Sequence, residues 1–160
     1  MAAEPLPGEA LDALDRAIVD HLQEDGRRAY SQIAQDLGVP EATVRFRARR
    51  LIRDGVLTIQ ATPNPFRLGY EVLALVELST TPGARKHVIE ALSSWPEVVY
   101  LSSCTGRVDL IAQVVCRNHH DLYDLLSERL AALDGVTGSE TLMELEVHKY
   151  AYGLPALARG

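Results

Sequence analysis

The chain has 160 residues, 47% apolar and 24% charged, with a formal net charge of -6. That length and apolar share suit one or two compact soluble domains and exclude a disordered tail, while the acidic balance argues against non-specific adhesion to nucleic acid. No stretch approaches the roughly 18 uncharged apolar residues of a membrane span, and the start, MAAEPLPGEA, lacks the basic beginning and apolar core of a secretory signal, so a cytoplasmic location is expected.

In chain order, residues 1–10 hold two prolines and a glycine without periodicity and read as a flexible leader with no assigned role. Leu11 to Glu24 predicts a helix in which Leu11, Leu14, Ile18 and Leu22 share one stripe, ended by Asp25-Gly26. From Ser31 to Gly55, SQIAQDLGVPEATVRFRARRLIRDG predicts two short helices joined by a tight turn, the pattern of a helix-turn-helix. The first places Ile33, Ala34 and Leu37 on one face and stops at Gly38; Val39-Pro40 then restarts the chain, with proline at the first position of the second helix. In that second helix Val44, Ala48, Leu51 and Ile52 recur at helical spacing and are expected to face inward. Arg45, Phe46, Arg49 and Arg53 are left along the other side.

The charge distribution says more about that outer side than the sum does. Residues 26–53 carry seven arginines against Asp36 and Glu41, a local +5 that leaves -11 for the remainder. An arginine-bearing helix face can be no more than a solvated surface. Here every basic residue of the segment is arginine, and Arg45 and Arg49 stand one turn apart, an arrangement suited to phosphate and guanine contacts through the guanidinium fork.

Past Gly55 the period changes. Val56, Leu57 and Ile59 begin a short strand, and ATPNPFRLGY, residues 61–70, reads as a linker. A second unit follows: Glu71 to Ser79 (strand), Ala84 to Ser93 (helix), Val98 to Thr105 and Val108 to Cys116 (strands), His119 to Leu133 (helix) and Thr137 to His148 (strand). This βαββαβ order is that of a ferredoxin-like fold, with the first and third strands in the middle of the sheet. VLALVEL and LIAQVV are the most apolar strands, as that placement requires, while LSSCTG and ETLMELEVH carry the polar residues tolerated at edges.

The expected fold class is therefore α+β, a winged helix-turn-helix (11–60) and a ferredoxin-like domain (71–150) around the linker, with residues 151–160 as a tail of no assigned role. In the first strand Val72, Ala74, Val76 and Leu78 point one way and Leu73 and Leu75 the other, so both sheet faces call for burial. Two helices cover one face, and a second copy of the sheet is the simplest cover for the other, which predicts a homodimer.

Taken together, ATVRFRARRLIRDGVL, the PNPFRLGY linker and TGRVDLI at the central hairpin of a βαββαβ unit resemble the Lrp/AsnC (feast/famine) family of transcription regulators over roughly residues 11–150. The resemblance implies a DNA-binding domain and a regulatory domain that dimerises through its sheet, assembles further to tetramers or octamers, and takes a small-molecule effector, commonly an amino acid. It places the recognition helix at Glu41 to Asp54, with Arg45 and Arg49 at base edges of double-stranded DNA, Phe46 on a thymine methyl or sugar, and Arg50, Arg53, Arg27 and Arg28 on phosphates. A core position for Phe46 is the competing reading, and Arg47 reads as a structural arginine. One departure is Pro40, where relatives often carry a capping serine.

By the same resemblance the effector site centres on Thr105, Gly106, Arg107, Val108 and Asp109, with Thr137, Ser139 and Thr141 as weaker contributors from a neighbouring subunit. Gly106 would expose backbone amides to a carboxylate and Asp109 would take an amino group; the plainer alternative is a hairpin whose glycine and aspartate serve the turn alone. Relatives often carry an aromatic where this chain has Val108.

No metal or cofactor is expected. If the hairpin turns at Gly106-Arg107, Cys104 and Cys116 lie over roughly 20 Å apart, too far for a disulfide. His119 and His120 are adjacent at a helix start, and no histidine shows ligand spacing. Two alternatives to a regulator remain: an enzyme resembling sirohaem decarboxylases, which share the two-domain architecture, and a sensor whose helix-turn-helix contacts only protein.

Overall fold

A computed structural model describes residues 11–149, so the leader and the tail lie outside the described residues. The chain divides into two units, whose described parts run to Thr62 and from Pro63 to Lys149.

The first unit is built from α1 (Ala13–Glu24), α2 (Tyr30–Leu37) and α3 (Glu41–Arg53). The Asp12 carboxylate caps α1 by accepting from the Asp15 N–H at 2.8 Å. Gly38, at φ 66°, ends α2 in the left-handed region, and the Val39 N–H reaches back to the Ala34 carbonyl at 3.0 Å, satisfying a group the helix would leave open. Pro40 is not the first helical residue. It stands just outside α3 with an extended backbone (φ -61°, ψ 141°), while its carbonyl accepts from the Thr43 N–H at 3.0 Å and starts the ladder.

Ile18, Leu22, Ile33, Val44, Ala48 and Leu51 fill the space between the three helices. Ile52, expected inside, is 39% exposed. It lies about 80° round the helix from Val44, at the margin of a stripe that Ala48 and Leu51 already fill. The strand expected from Val56 does not form, because no described segment pairs with it. Leu57 instead folds back into the core, its N–H donating to the Leu51 carbonyl at 3.1 Å. The linker carries a single 3-10 turn, Pro65–Leu68, capped by the Asn64 side chain.

In the second unit the elements are β1 (Val72–Thr80), α4 (Arg85–Ser93), β2 (Val98–Ser103), β3 (Leu110–Cys116), α5 (His119–Asp124) with a π-helical continuation Leu125–Leu130, and β4 (Val136–Met143). The antiparallel sheet has the order β2-β3-β1-β4, with β1 and β3 central. Both helices pack on the face bearing Val72, Ala74, Val76 and Leu78. The opposite face bears Leu73 paired with Val115, Leu75 between Gln113 and Leu142, and Glu77 between Ile111 and Glu140.

Beyond shifts of one or two residues at strand ends, three features differ from expectation. The second helix is not regular to Leu133: the Ala131 N–H bonds the Leu126 carbonyl five residues back, and this wide turn brings both Leu125 and Leu130 into the core. β4 stops at Met143, opposite Ala74 and two positions short of the start of β1; only the Glu144 N–H bond to the Leu73 carbonyl follows, and Leu145 is 95% exposed. In β2 a bulge between Val98 and Tyr100 shifts the register by one, so the Glu97 carbonyl faces Val115 rather than Cys116.

Candidate nucleic-acid interface and effector turn

On α3 the outward side chains are held from below. Arg45 forms an ion pair with Glu41 one turn earlier, and its guanidinium lies 5.7 Å from the centre of the Tyr30 ring on α2. Phe46 is 69% exposed, which removes it from the core. Arg49 is exposed and makes no ion pair with the described residues, and Glu41, Ala42, Arg45, Phe46 and Arg49 line one shallow depression. A guanidinium, an aromatic ring and a second guanidinium thus stand side by side on one helix face.

The remaining arginines divide. Arg53 stays on the surface, bonded through Nε to its neighbour Asp54 at 2.8 Å, and Arg27 is exposed. Arg28 donates to Glu24 at 3.2 Å and to Asp36 at 2.6 Å, bracing α1 against α2. Arg50, expected on phosphate, is drawn back onto Asp15 of α1. Arg47 bonds Asp12 and, at 3.1 Å, Asp15; the Asp12 carboxylate, then that of Asp15, raises the Arg47 pKa, and Arg47 in turn holds Asp12 below the usual carboxylate range.

Asp15 is only 2% exposed and was not singled out from the sequence. The signal was present, since Asp15 lies one turn after Leu11 and one before Ile18, within the apolar stripe of α1. A carboxylate there needs cationic partners, and Arg47 and Arg50, three residues apart on α3, supply them. This clamp fixes the roll of α3 and so the direction in which Arg45, Phe46 and Arg49 point.

The β2–β3 turn is closed by the Cys104 N–H bond to the Asp109 carbonyl at 2.8 Å. Gly106, with φ 114° and open space around it, exposes backbone that a side chain would obstruct. Asp109, expected to take an amino group, has both carboxylate oxygens engaged. One accepts from the Thr80 N–H at 2.7 Å and the Thr80 hydroxyl at 3.1 Å, and the other pairs with Arg85. The Thr80 N–H, then its hydroxyl and Arg85, lowers the Asp109 pKa.

Arg107 crosses to the open sheet face, where it pairs with Glu77 and, at 2.8 Å, with Glu140. Those two carboxylates are neighbours in register, so Arg107 bridges a like-charge pair and offsets half of its charge. Thr105 is exposed and Val108 half-buried. Thr137 and Ser139 are exposed on β4; Ser139 pairs with Leu78, which pairs with Leu110, so β4 stands two strands from the turn. Cys104 and Cys116 are free, and no group of three or more potential metal ligands occurs among the described residues. No described helix is long and apolar enough to cross a membrane.

Both halves of the chain match known domain families: the AsnC-type helix-turn-helix domain over residues 11–52 and the Lrp/AsnC ligand binding domain over residues 73–154. An uncharacterized HTH-type transcriptional regulator of Pyrococcus abyssi is 42% identical over 143 residues, 89% of this chain and 90% of that one. The HTH-type transcriptional regulator FL11 of Pyrococcus furiosus is 32% identical, with 91% of this chain and 96% of FL11 covered. Among solved structures, Escherichia coli AsnC superposes with a TM-score of 0.80 at 26% identity, covering 88% of this chain and 96% of its own. A Neisseria meningitidis transcriptional regulator solved with L-Met shares the fold, with a TM-score of 0.84 at 22% identity over 91% of this chain and 97% of that one. Since both domains match in order and the relatives align along nine-tenths of the length, the chain belongs to the Lrp/AsnC family of transcriptional regulators, a DNA-binding helix-turn-helix domain followed by a ligand-binding domain.

Proposed function

We propose that the protein is a cytoplasmic, homo-oligomeric regulator that enters the major groove with α3, reads base edges with Arg45 and Arg49, sets Phe46 against a thymine methyl or sugar, and uses Arg53 and Arg27 on phosphates. The observation that carries this reading is the exposed Arg45-Phe46-Arg49 face, backed by an α3 that Asp15 clamps through Arg47 and Arg50. Guanidinium forks suit guanine O6 and N7, and an exposed ring suits a thymine methyl. The apolar residues left on the uncovered sheet face support a homodimer formed there.

In the second unit a small effector such as an amino acid would place its carboxylate at the backbone amides around Gly106, beside Arg107. Asp109 is committed to Thr80 and Arg85, so the amino group would be met from elsewhere, with Thr137 and Ser139 of a neighbouring subunit as candidates. The effector then acts by binding two assembly or DNA-affinity states unequally.

Fluorescence anisotropy with the DNA flanking its own gene, beside a scrambled duplex and at several salt concentrations, tests the first part. Specific binding with a steep negative salt slope is expected, and Arg49→Ala should weaken it by about 1–3 kcal/mol while relaxing discrimination at one base pair. Equal, weak binding to both duplexes would leave the face a solvated surface. Unchanged affinity after Arg45→Ala with Arg49→Ala would favour the protein-contacting alternative. The relatives reported above are named as regulators, so the decarboxylase-like alternative rests on architecture alone; a Soret band on adding sirohaem would revive it.

A further inference from the structure

A cleft of ≈ 340 Å³ opens in the second unit at the end of the sheet away from the 105–109 turn, between the close of β3, the start of β2, α5 and Tyr70. Its size is at the low end of small-ligand sites. Glu97 and Arg117 contribute to its wall, as do Asp121, Asp124 and Arg129, so the charged lining carries three carboxylates against two guanidinium groups. Much of that charge is already matched. Arg117 is bound by Asp121 at 2.8 Å, and Arg129 donates to Oε1 of Glu97 at 3.0 Å while lying 4.3 Å over the Trp95 ring.

Two acceptors are left over. Oε2 of Glu97 is enclosed by protein yet has no hydrogen-bond partner among the described residues, and it is the one such side-chain atom there. Among the described residues half-buried Asp124 pairs only with His120, at 3.7 Å. An enclosed carboxylate oxygen without a donor is costly, and since Oε2 is closed to solvent as it stands, a donor in the cleft relieves that cost by turning the carboxylate outward, which the 31% exposure of the Glu97 side chain allows. The buried Cys116 thiol lies at the same wall, its pKa pushed up by burial and then by Glu97 and Asp121, so it does not supply a cation or a metal-binding thiolate.

We propose that this cleft binds the primary ammonium group of a small organic cation, received by Glu97 with Asp124 at the rim, and that the bound molecule rests its aliphatic part against Leu125, Val115 and Tyr70. Its place in the chain gives it a consequence. Tyr70 directly follows the capped linker turn, and the adjoining Glu71 N–H bonds the Cys116 carbonyl at 3.2 Å, so occupancy is felt where the linker meets the sheet. The proposal is independent of the effector turn, which lies at the other end of β3.

Trp95 is the single tryptophan of the chain and stacks under the arginine that Glu97 holds, so its emission reports on the cleft. The full-length protein is titrated with n-butylammonium chloride and with n-pentylammonium chloride, neither of which carries a carboxylate, against sodium butyrate at matched ionic strength, and binding of the two amines is measured in parallel by ligand-observed NMR, which does not depend on Trp95. The expected result is a saturable response to the amines and none to butyrate, weakened roughly tenfold or more in Glu97→Gln and unchanged in Arg107→Ala. If Glu97→Gln does not fold, Asp124→Asn, at a half-buried position on α5, carries the same decision. No saturable response into the tens of millimolar, or equal affinity in wild type and variant, overturns the proposal. A response lost in Arg107→Ala but kept in Glu97→Gln would place the amine at the effector turn instead.

Discussion

Asp15 and the arginines around it separate charge used within the fold from charge left on the outer face of α3. Arg47 and Arg50 are oriented by a carboxylate that water barely reaches, whereas Arg49 and Arg53 are not. Removing the Asp15 charge takes one carboxylate from Arg47, which keeps Asp12, and one from Arg50, and both guanidinium groups sit near enough to the surface to regain water. Asp15→Asn is therefore expected to cost about 1–3 kcal/mol in urea unfolding, short of the loss seen for fully buried pairs. DNA affinity should fall through misorientation of α3, with little change in the salt slope. Arg53→Ala should do the reverse, leaving stability within roughly 0.5 kcal/mol and reducing the salt slope by about one. Equal slopes for wild type and Arg53→Ala would remove Arg53 from the phosphate contacts. Phe46 shows why composition alone cannot assign such roles: its spacing from the core residues of α3 allowed either side, and only the packed helices decide.

Asp109 ties three elements together, since Thr80 ends β1, Arg85 begins α4 and Asp109 precedes β3. Its carboxyl is held below the ordinary value chiefly by the Thr80 N–H, so it contributes stability that is fully present above the unfolded value of about 4 and is lost as pH falls through the lowered folded value. Thermal melts from neutral to acid pH should show wild type losing Tm more steeply below about pH 4 than Asp109→Asn, which starts lower and falls less. Parallel curves would mean that the carboxylate contributes nothing through its charge. The same network marks how far the sequence could be read. Element order and the central place of β1 and β3 were legible because period-2 and period-3.6 patterns are local and VLALVEL is apolar on both faces. The partners of Asp109 lie 29 and 24 residues away, and β4 ends where its pairing with β1 runs out, opposite Ala74; such features are fixed by pairing rather than by neighbouring residues. Asp15 was readable in part, as a charge lodged in an apolar stripe, but its partners are over 30 residues distant.

One face of the sheet in the second unit is covered by no described helix. Leu73 and Val115 are already buried there, Leu75 and Ile111 are half-buried, and Leu142 is 44% exposed, so a band of apolar side chains runs across β3, β1 and β4. Glu77, Glu140 and Arg107 border that band with a net charge of about -1 in place of the -2 of the bare carboxylates, which lowers the electrostatic cost of bringing an identical face against it. A two-fold contact uses every residue twice, so Leu142→Asp introduces two carboxylates into one interface. Because Leu142 is accessible in the single chain, the variant should fold with little change in its own unfolding, yet weaken the dimer by roughly 2 kcal/mol or more. Sedimentation at micromolar concentration should then show dimer for the wild type and an increased monomer fraction for Leu142→Asp. DNA affinity should drop as well, although α3 is untouched, because two recognition helices are no longer held for half-sites about 34 Å apart. A wild type that sediments as a monomer at that concentration would refute the sheet-to-sheet dimer, and would leave each helix-turn-helix to find DNA alone.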